Sequence, residues 1–168
     1  MGKKKITTNA MRLLQAAKIP FTAVEYETDG TVEENFGMRI AEKTGIPPAQ
    51  SFKTLVARGE KQGILVACVP VCGELDLKKL AKAAGEKKVE LIHVRELLGL
   101  TGYIRGGVSP IGMKKKYPTW IHQSCLEFDQ MAVSAGVCGC TLLLRPQDLL
   151  RAVGAQTADI ADGKSIAF

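Results

Sequence analysis

Apolar and polar positions recur along the chain with two different periods, and the switches between them mark out its elements. Met11, Leu14 and Ala17 stand at i, i+3 and i+6 behind Thr8-Asn9, which predicts a short helix with a polar residue to cap its first turn, ended by Pro20. Phe21–Glu27 alternates and is rich in β-formers, the pattern of a strand. A second helix is predicted over Glu33–Lys43, closed by Gly45 and the Pro47-Pro48 pair. Ser51–Arg58 and Gly63–Val71 read as two strands joined by a Gly-Glu-Lys-Gln turn, a hairpin. Asp76 is placed to cap a helix through Leu77, Leu80 and Ala84, with Gly85 after it.

The second half is less regular. Val89–His93 predicts a short strand and Arg95–Leu98 a helical turn. Gly99–Gly112 is glycine-rich, holds Pro110, and reads as a loop with special backbone needs. Thr119–Gln123, Met131–Ser134 and Thr141–Leu144 read as strands, and Pro146 opens a final helix, Gln147–Val153, ended by Gly154. The segment after Ala155 is weakly patterned. Six or seven strands with four or five short helices, not strictly alternating and without a repeat, predict a single α+β domain over residues 1–168 with a mixed, largely antiparallel sheet.

Composition fits a folded chain: 46% of the 168 residues are hydrophobic and 24% charged. The longest apolar run, Ile64–Cys72, is of strand length and holds Pro70, well short of the roughly 18 residues a membrane span needs. No apolar segment follows the basic Lys3-Lys4-Lys5, so the expectation is a cytoplasmic protein without a membrane partner. Charge adds a direction. Lys and Arg number 23 against 17 acidic residues, and Leu100–Leu126 carries Arg105, Lys114, Lys115 and Lys116 with no acidic residue at all. That local positive field suits a phosphate-bearing partner.

Several chemistries lack their apparatus. The five cysteines have no paired metal-ligand spacing and read as reduced, small, buried apolar residues. With only His93, at a strand end, and His122, in an apolar-flanked strand, no Ser-His or Cys-His arrangement is evident. Dinucleotide, P-loop and HExxH motifs are missing, so no cofactor is expected. Two features carry chemistry instead. Lys53 is a lone cation in the apolar strand Ser51–Val56, costly to bury without a counter-charge or a groove mouth. Gly106-Gly107-Val108-Ser109-Pro110-Ile111-Gly112 can bring successive backbone amides against an anion or a carbonyl.

These residues carry a resemblance. Phe52-Lys53-Thr54-Leu55, then Leu75–Leu80, then Thr101-Gly102-Tyr103 leading into Gly106–Gly112, then Val133-Ser134-Ala135-Gly136, stand in the order found in the YbaK family. That family comprises free-standing Cys-tRNA(Pro) deacylases related to the editing domain inserted in bacterial prolyl-tRNA synthetases. The chain resembles it from about Ile6 to Ile160. The resemblance implies a trans-acting deacylase that clears cysteine from mischarged tRNA(Pro), with aminoacyl-tRNA as substrate and prolyl-tRNA synthetase as a further partner; a monomer is simply the default expectation.

The resemblance also implies roles. Lys53 matches the essential residue, and Thr54, Tyr26, Phe36 and Ser134 match pocket positions. Gly106 and Pro110 match the ends of a GxxxP loop that holds the aminoacyl ester and the terminal adenosine, with Gly107 and Ser109 between them. Lys114, Lys115 and Lys116 could meet tRNA phosphates. The chain departs from the family in Val137-Cys138, where a basic pair often stands, and in Thr141, where some members carry Asp. A preference for Ala-tRNA(Pro), or a non-catalytic tRNA- or synthetase-binding role, stays open at this point. With no protein nucleophile evident, the thiol of a cysteinyl ester can itself attack the nearby carbonyl, and a bound water is the alternative.

Overall fold

The computed structural model describes residues 6–32 and 35–162. Eight strands and five α-helices are present among them. Helix α1 (Asn9–Ala16) starts where Thr8 accepts the Met11 N–H at 3.3 Å. Helix α2 (Phe36–Thr44) ends at Gly45, whose φ of 76° is the left-handed stop that glycine adopts without strain. Helix α3 (Leu77–Ala84) is capped by the Asp76 carboxylate, which accepts from Lys78 N–H at 3.0 Å and Lys79 N–H at 3.1 Å. The start expected for α2 at Glu33 lies outside the described residues.

The strands build two sheets rather than one. Strands β1 (Thr22–Glu25), β7 (Cys140–Leu144) and β6 (Met131–Ser134) form an antiparallel sheet with β7 in the centre. The larger sheet runs in the order β4-β2-β3-β5-β8. In it β2 (Phe52–Gly59) and β3 (Gly63–Pro70) make the expected hairpin, and β4 (Val89–Leu91) pairs antiparallel on its edge. Strands β5 (Thr119–His122) and β8 (Gln156–Ala158) add in parallel. A bridge between Ser51 and Ala132 links the two sheets. Strand β8 falls in the segment the sequence leaves unpatterned. Three residues carry too little alternation to register, and their pairing partner is more than thirty positions away.

The alternation of β2 decides which side chains meet which layer. Phe52, with Cys68 and Ile121, packs into a core shared with α1, β6, β7 and α5 (Pro146–Val153). Ala57, Leu65, Ala67 and Val69 face the other way, against Leu80, Ala81 and Ala84 of α3. Burying these apolar faces on both sides of one sheet is the main favourable term in the fold. Three cysteines, Cys68, Cys125 and Cys140, are buried as expected, but Cys72 and Cys138 are partly exposed because both lie in loops rather than strands.

Between β4 and β5 the chain makes a 3-10 turn (Val94–Glu96) and α4 (Leu97–Thr101). The helical turn therefore runs through Gly99, and the loop expected from that residue begins at Gly102, the left-handed cap with φ 84°. Helix α5 ends at Gly154 as its sequence predicts. The Glu86 carboxylate, after α3, accepts the backbone N–H groups of Lys61 and Gln62 and so closes the hairpin turn over the helix end.

Candidate functional site

The glycine loop folds around Tyr103. Its hydroxyl donates to the Ile111 carbonyl, and its ring lies where a side chain at Gly136 would stand, 2.8 Å from the Cβ position. The loop is thereby held against the end of β6, where Ser134 Oγ accepts the Gly136 N–H at 3.1 Å. Gly107, Ser109 and Pro110 are buried in this arrangement. Ser109 is fully enclosed and its hydroxyl accepts the Ile111 N–H at 3.2 Å, so its visible work is to set the loop's shape.

Gly106 sits at the most crowded point. A Cβ there would stand 2.5 Å from Val32 Cγ2, 2.9 Å from Cys138 Sγ and 3.3 Å from the Phe36 ring, and its φ is 89°. Phe36, the first residue of α2, thus touches the loop. Its neighbour Gly37 packs on the other side against Val71, at 2.6 Å from Val71 Cγ1 to the Gly37 Cβ position. Val71 leads into Cys72. Burial pushes the Cys72 thiol up, and the Lys53 ammonium nearby opposes that push. The start of α2 therefore bridges the glycine loop and the Lys53 end of the hairpin.

Lys53 itself is paired with Val69 across the hairpin and emerges at the end of the sheet face that α3 covers. Its side chain is 29% exposed and its Nζ lies 3.6 Å from the Glu74 carboxylate, which is open to solvent. Thr54 points to the opposite face, where Oγ1 and Cys68 Sγ are 3.6 Å apart.

A cavity of about 860 Å³ opens beside this cluster. Tyr26 and Phe36 line it together with Cys138 and Gly139. Lys53, Thr54 and Ser134 stand outside that lining. Arg39, Ile40 and Lys43 line it too, since α2 presents 36, 39, 40 and 43 on one face. Arg39 and Lys43 are not among the residues that the sequence motifs single out, and their helical spacing from Phe36 is the signal that would find them. Glu25, Glu27 and Asp29 complete a mixed-charge rim.

The titrating groups limit the chemistry. Burial pushes Cys68 up to about 12, Cys125 and Cys140 up to about 11, and raises Cys72 and Cys138. All five stay thiols at neutral pH, so none is a ready nucleophile. His122 is buried and its Nδ1 accepts the Ile160 N–H at 3.2 Å, which ties it to the structure. Among the described residues no group of three His, Cys, Asp or Glu side chains could hold a metal ion, and no helix is long and apolar enough to cross a membrane. Lys114, Lys115 and Lys116 are exposed, with Lys116 lying along Gly154 at the end of α5.

The model of the aminoacyl-tRNA editing domain matches residues 38–152, more than half of the chain. The chain belongs to the aminoacyl-tRNA editing domain family. It is 45% identical over 162 residues to EbsC of Enterococcus faecalis (strain ATCC 700802 / V583), which is named as a candidate Cys-tRNA(Pro)/Cys-tRNA(Cys) deacylase. That match covers 95% of this chain and 98% of EbsC. Among solved structures, a candidate trans-editing enzyme for prolyl tRNA synthetase superposes with a TM-score of 0.78 at 25% identity, covering 94% of this chain and 100% of that one. A hypothetical protein at 22% identity shares the fold with a TM-score of 0.80, over 90% and 97% of the two chains. These matches agree with the α+β architecture expected from the sequence.

Proposed function

We propose that the protein is an aminoacyl-tRNA deacylase that removes cysteine from mischarged Cys-tRNA(Pro) in trans, with Lys53 as its essential residue. The observation that supports this reading is the start of α2, where Phe36 lies against Gly106 and Gly37 against Val71, whose N–H donates to the carbonyl of Ser51 two residues before Lys53. Such proofreading is needed because a synthetase pocket separates amino acids of similar size by only about 1–3 kcal/mol. The two cysteinyl-tRNAs in the name of EbsC suit a site that reads cysteine more than the tRNA body.

The geometry suggests how the ester would be cleaved. No side chain of the cleft is an activated nucleophile, so the substrate thiol attacks its own carbonyl carbon. A sulfur–carbon bond forms, the carbonyl–ribose oxygen bond breaks, and the thiol proton passes to the departing ribose oxygen. Water then opens the resulting thiolactone to cysteine. Holding thiol and carbonyl in one conformer supplies the rate advantage of an intramolecular reaction. The Lys53 ammonium orients the ester and offsets charge developing on oxygen, and backbone amides of the glycine loop assist. Tyr26 and Phe36, which line the cavity, wall the acyl pocket, and Thr54 and Ser134 lie outside that lining. Aminoacyl-tRNA is the partner, the cytoplasm its place, and residues 1–168 act as one domain.

Release of labelled cysteine from Cys-tRNA(Pro), with Ala-tRNA(Pro) beside it, tests the reading. Cysteine release by the wild type and none by Lys53→Ala is the expected result. Turnover of the alanyl substrate alone would replace the proposed specificity, and binding without turnover of either would make the protein a tRNA-binding module.

A further inference from the structure

Ile104 is 60% exposed and Val137 37% exposed, large apolar side chains that a folded chain normally covers when they cluster. They do cluster. The Gly107 N–H donates to the Ile104 carbonyl at 2.9 Å, and the Gly107 Cβ position is 3.0 Å from Val137 Cα. Cys138 Sγ lies 3.9 Å from the Arg105 carbonyl, so segments 104–107 and 137–138 are zipped side by side. Arg105, exposed between Ile104 and Gly106, adds a cation to this shelf. Lys114 follows beyond Gly102, with its Cγ 3.3 Å from that residue's Cβ position. The shelf adjoins the cleft at Gly106.

We propose that Ile104 and Val137 form a stacking shelf for the unpaired nucleotides that precede the terminal adenosine of the tRNA. The inference rests on the deacylase reading of the same cleft. An acylated 3′ end seated at Gly106 must lead its preceding nucleotides out over an adjoining surface. A single strand is gripped by apolar faces that take its bases and cations that follow its backbone, which is what the shelf and Arg105 offer. The occupant is RNA rather than a protein because every charged residue from Leu100 to Leu126 is basic.

A binding cycle tests it. Fluorescein-labelled uncharged tRNA(Pro), and the same RNA lacking its last three nucleotides, are titrated by anisotropy against wild type and Ile104→Ser. Wild type is expected to bind the truncated RNA about tenfold more weakly, and Ile104→Ser to bind the full-length RNA weaker by about the same factor. The two changes should not compound: both proteins should hold the truncated RNA equally. Equal loss on both RNAs, or no loss on either, overturns the shelf, the latter leaving the patch to a protein partner. Circular dichroism confirms that the surface variant is folded. Because the cycle needs no turnover, a failed shelf with intact cysteine release is distinguishable from a failed deacylase.

Discussion

The Lys53 ammonium and the Glu74 carboxylate face each other at 3.6 Å, one side chain 29% exposed and the other 78%. An exposed pair of this kind is worth little to stability. On the proposed reading it is a loose tether that a substrate displaces. Glu74→Gln should therefore leave stability within about 0.5 kcal/mol and cysteine release within a few-fold. Lys53→Ala should cut release by about a hundredfold or more while the melting temperature holds. Steady-state deacylation and thermal melts of both variants check this, and comparable activity of Lys53→Ala would remove the amine from the mechanism.

Gly106 tolerates no side chain. With φ at 89° and Val32, Cys138 and Phe36 all within 3.3 Å of the Cβ position, Gly106→Ala combines backbone strain with a clash. A loss of about 1–3 kcal/mol in urea unfolding is expected, together with a collapse of activity. An alanine variant as stable and active as wild type would mean that the loop is far more pliable than its packing implies.

Acid should loosen the sheet edge at His122. Burial lowers its pKa, Asp159 opposes that shift, Lys79 reinforces it and Glu127 opposes it. The unfolded chain therefore binds the proton more readily than the folded one. Stability from this group is complete above about pH 6.5 and declines as pH falls through the lower folded value. Protonation of Nδ1 also ends its acceptance of the Ile160 N–H. Melting temperatures should drop between pH 7 and 5, and His122→Asn should flatten that slope; an unchanged slope would assign the acid sensitivity elsewhere.

Removing Lys114 and Lys115 together should weaken tRNA binding without touching catalysis on bound substrate. Each phosphate contact contributes about 0.7–0.9 to the slope of log affinity against log salt, so the double alanine variant should lose roughly 1.5 from it. An unaltered slope would place these exposed lysines away from the RNA.

Local signals in the sequence carried much of this. Thr8 and Asp76 announce their helices because a capping oxygen answers to the next turn alone, and the β2–β3 hairpin follows from its turn. Lys53 and the glycine loop were equally visible, since a lone cation in an apolar strand and a run of glycines each break a local rule. What stayed hidden is long-range. The division into two sheets hangs on β7 joining β1 across more than a hundred residues, and β8 on a parallel pairing with β5. The enclosure of Ser109 is long-range too, because burial depends on Tyr103 and on which strand end the loop meets.

The clasp at residues 156–162 has a consequence for synthesis. Leu75 bridges to Ala161, Asp76 N–H donates to the Ile160 carbonyl, and Asp162 N–H donates to the carbonyl of Glu74. The stretch that carries the neighbour of Lys53 is thus pinned by backbone made some eighty residues later. A ribosome must have released that later stretch from its tunnel before residues 74–76 can be pinned, so on the proposed reading a nascent chain stalled short of it would hold both Lys53 and the glycine loop and still be unready to work.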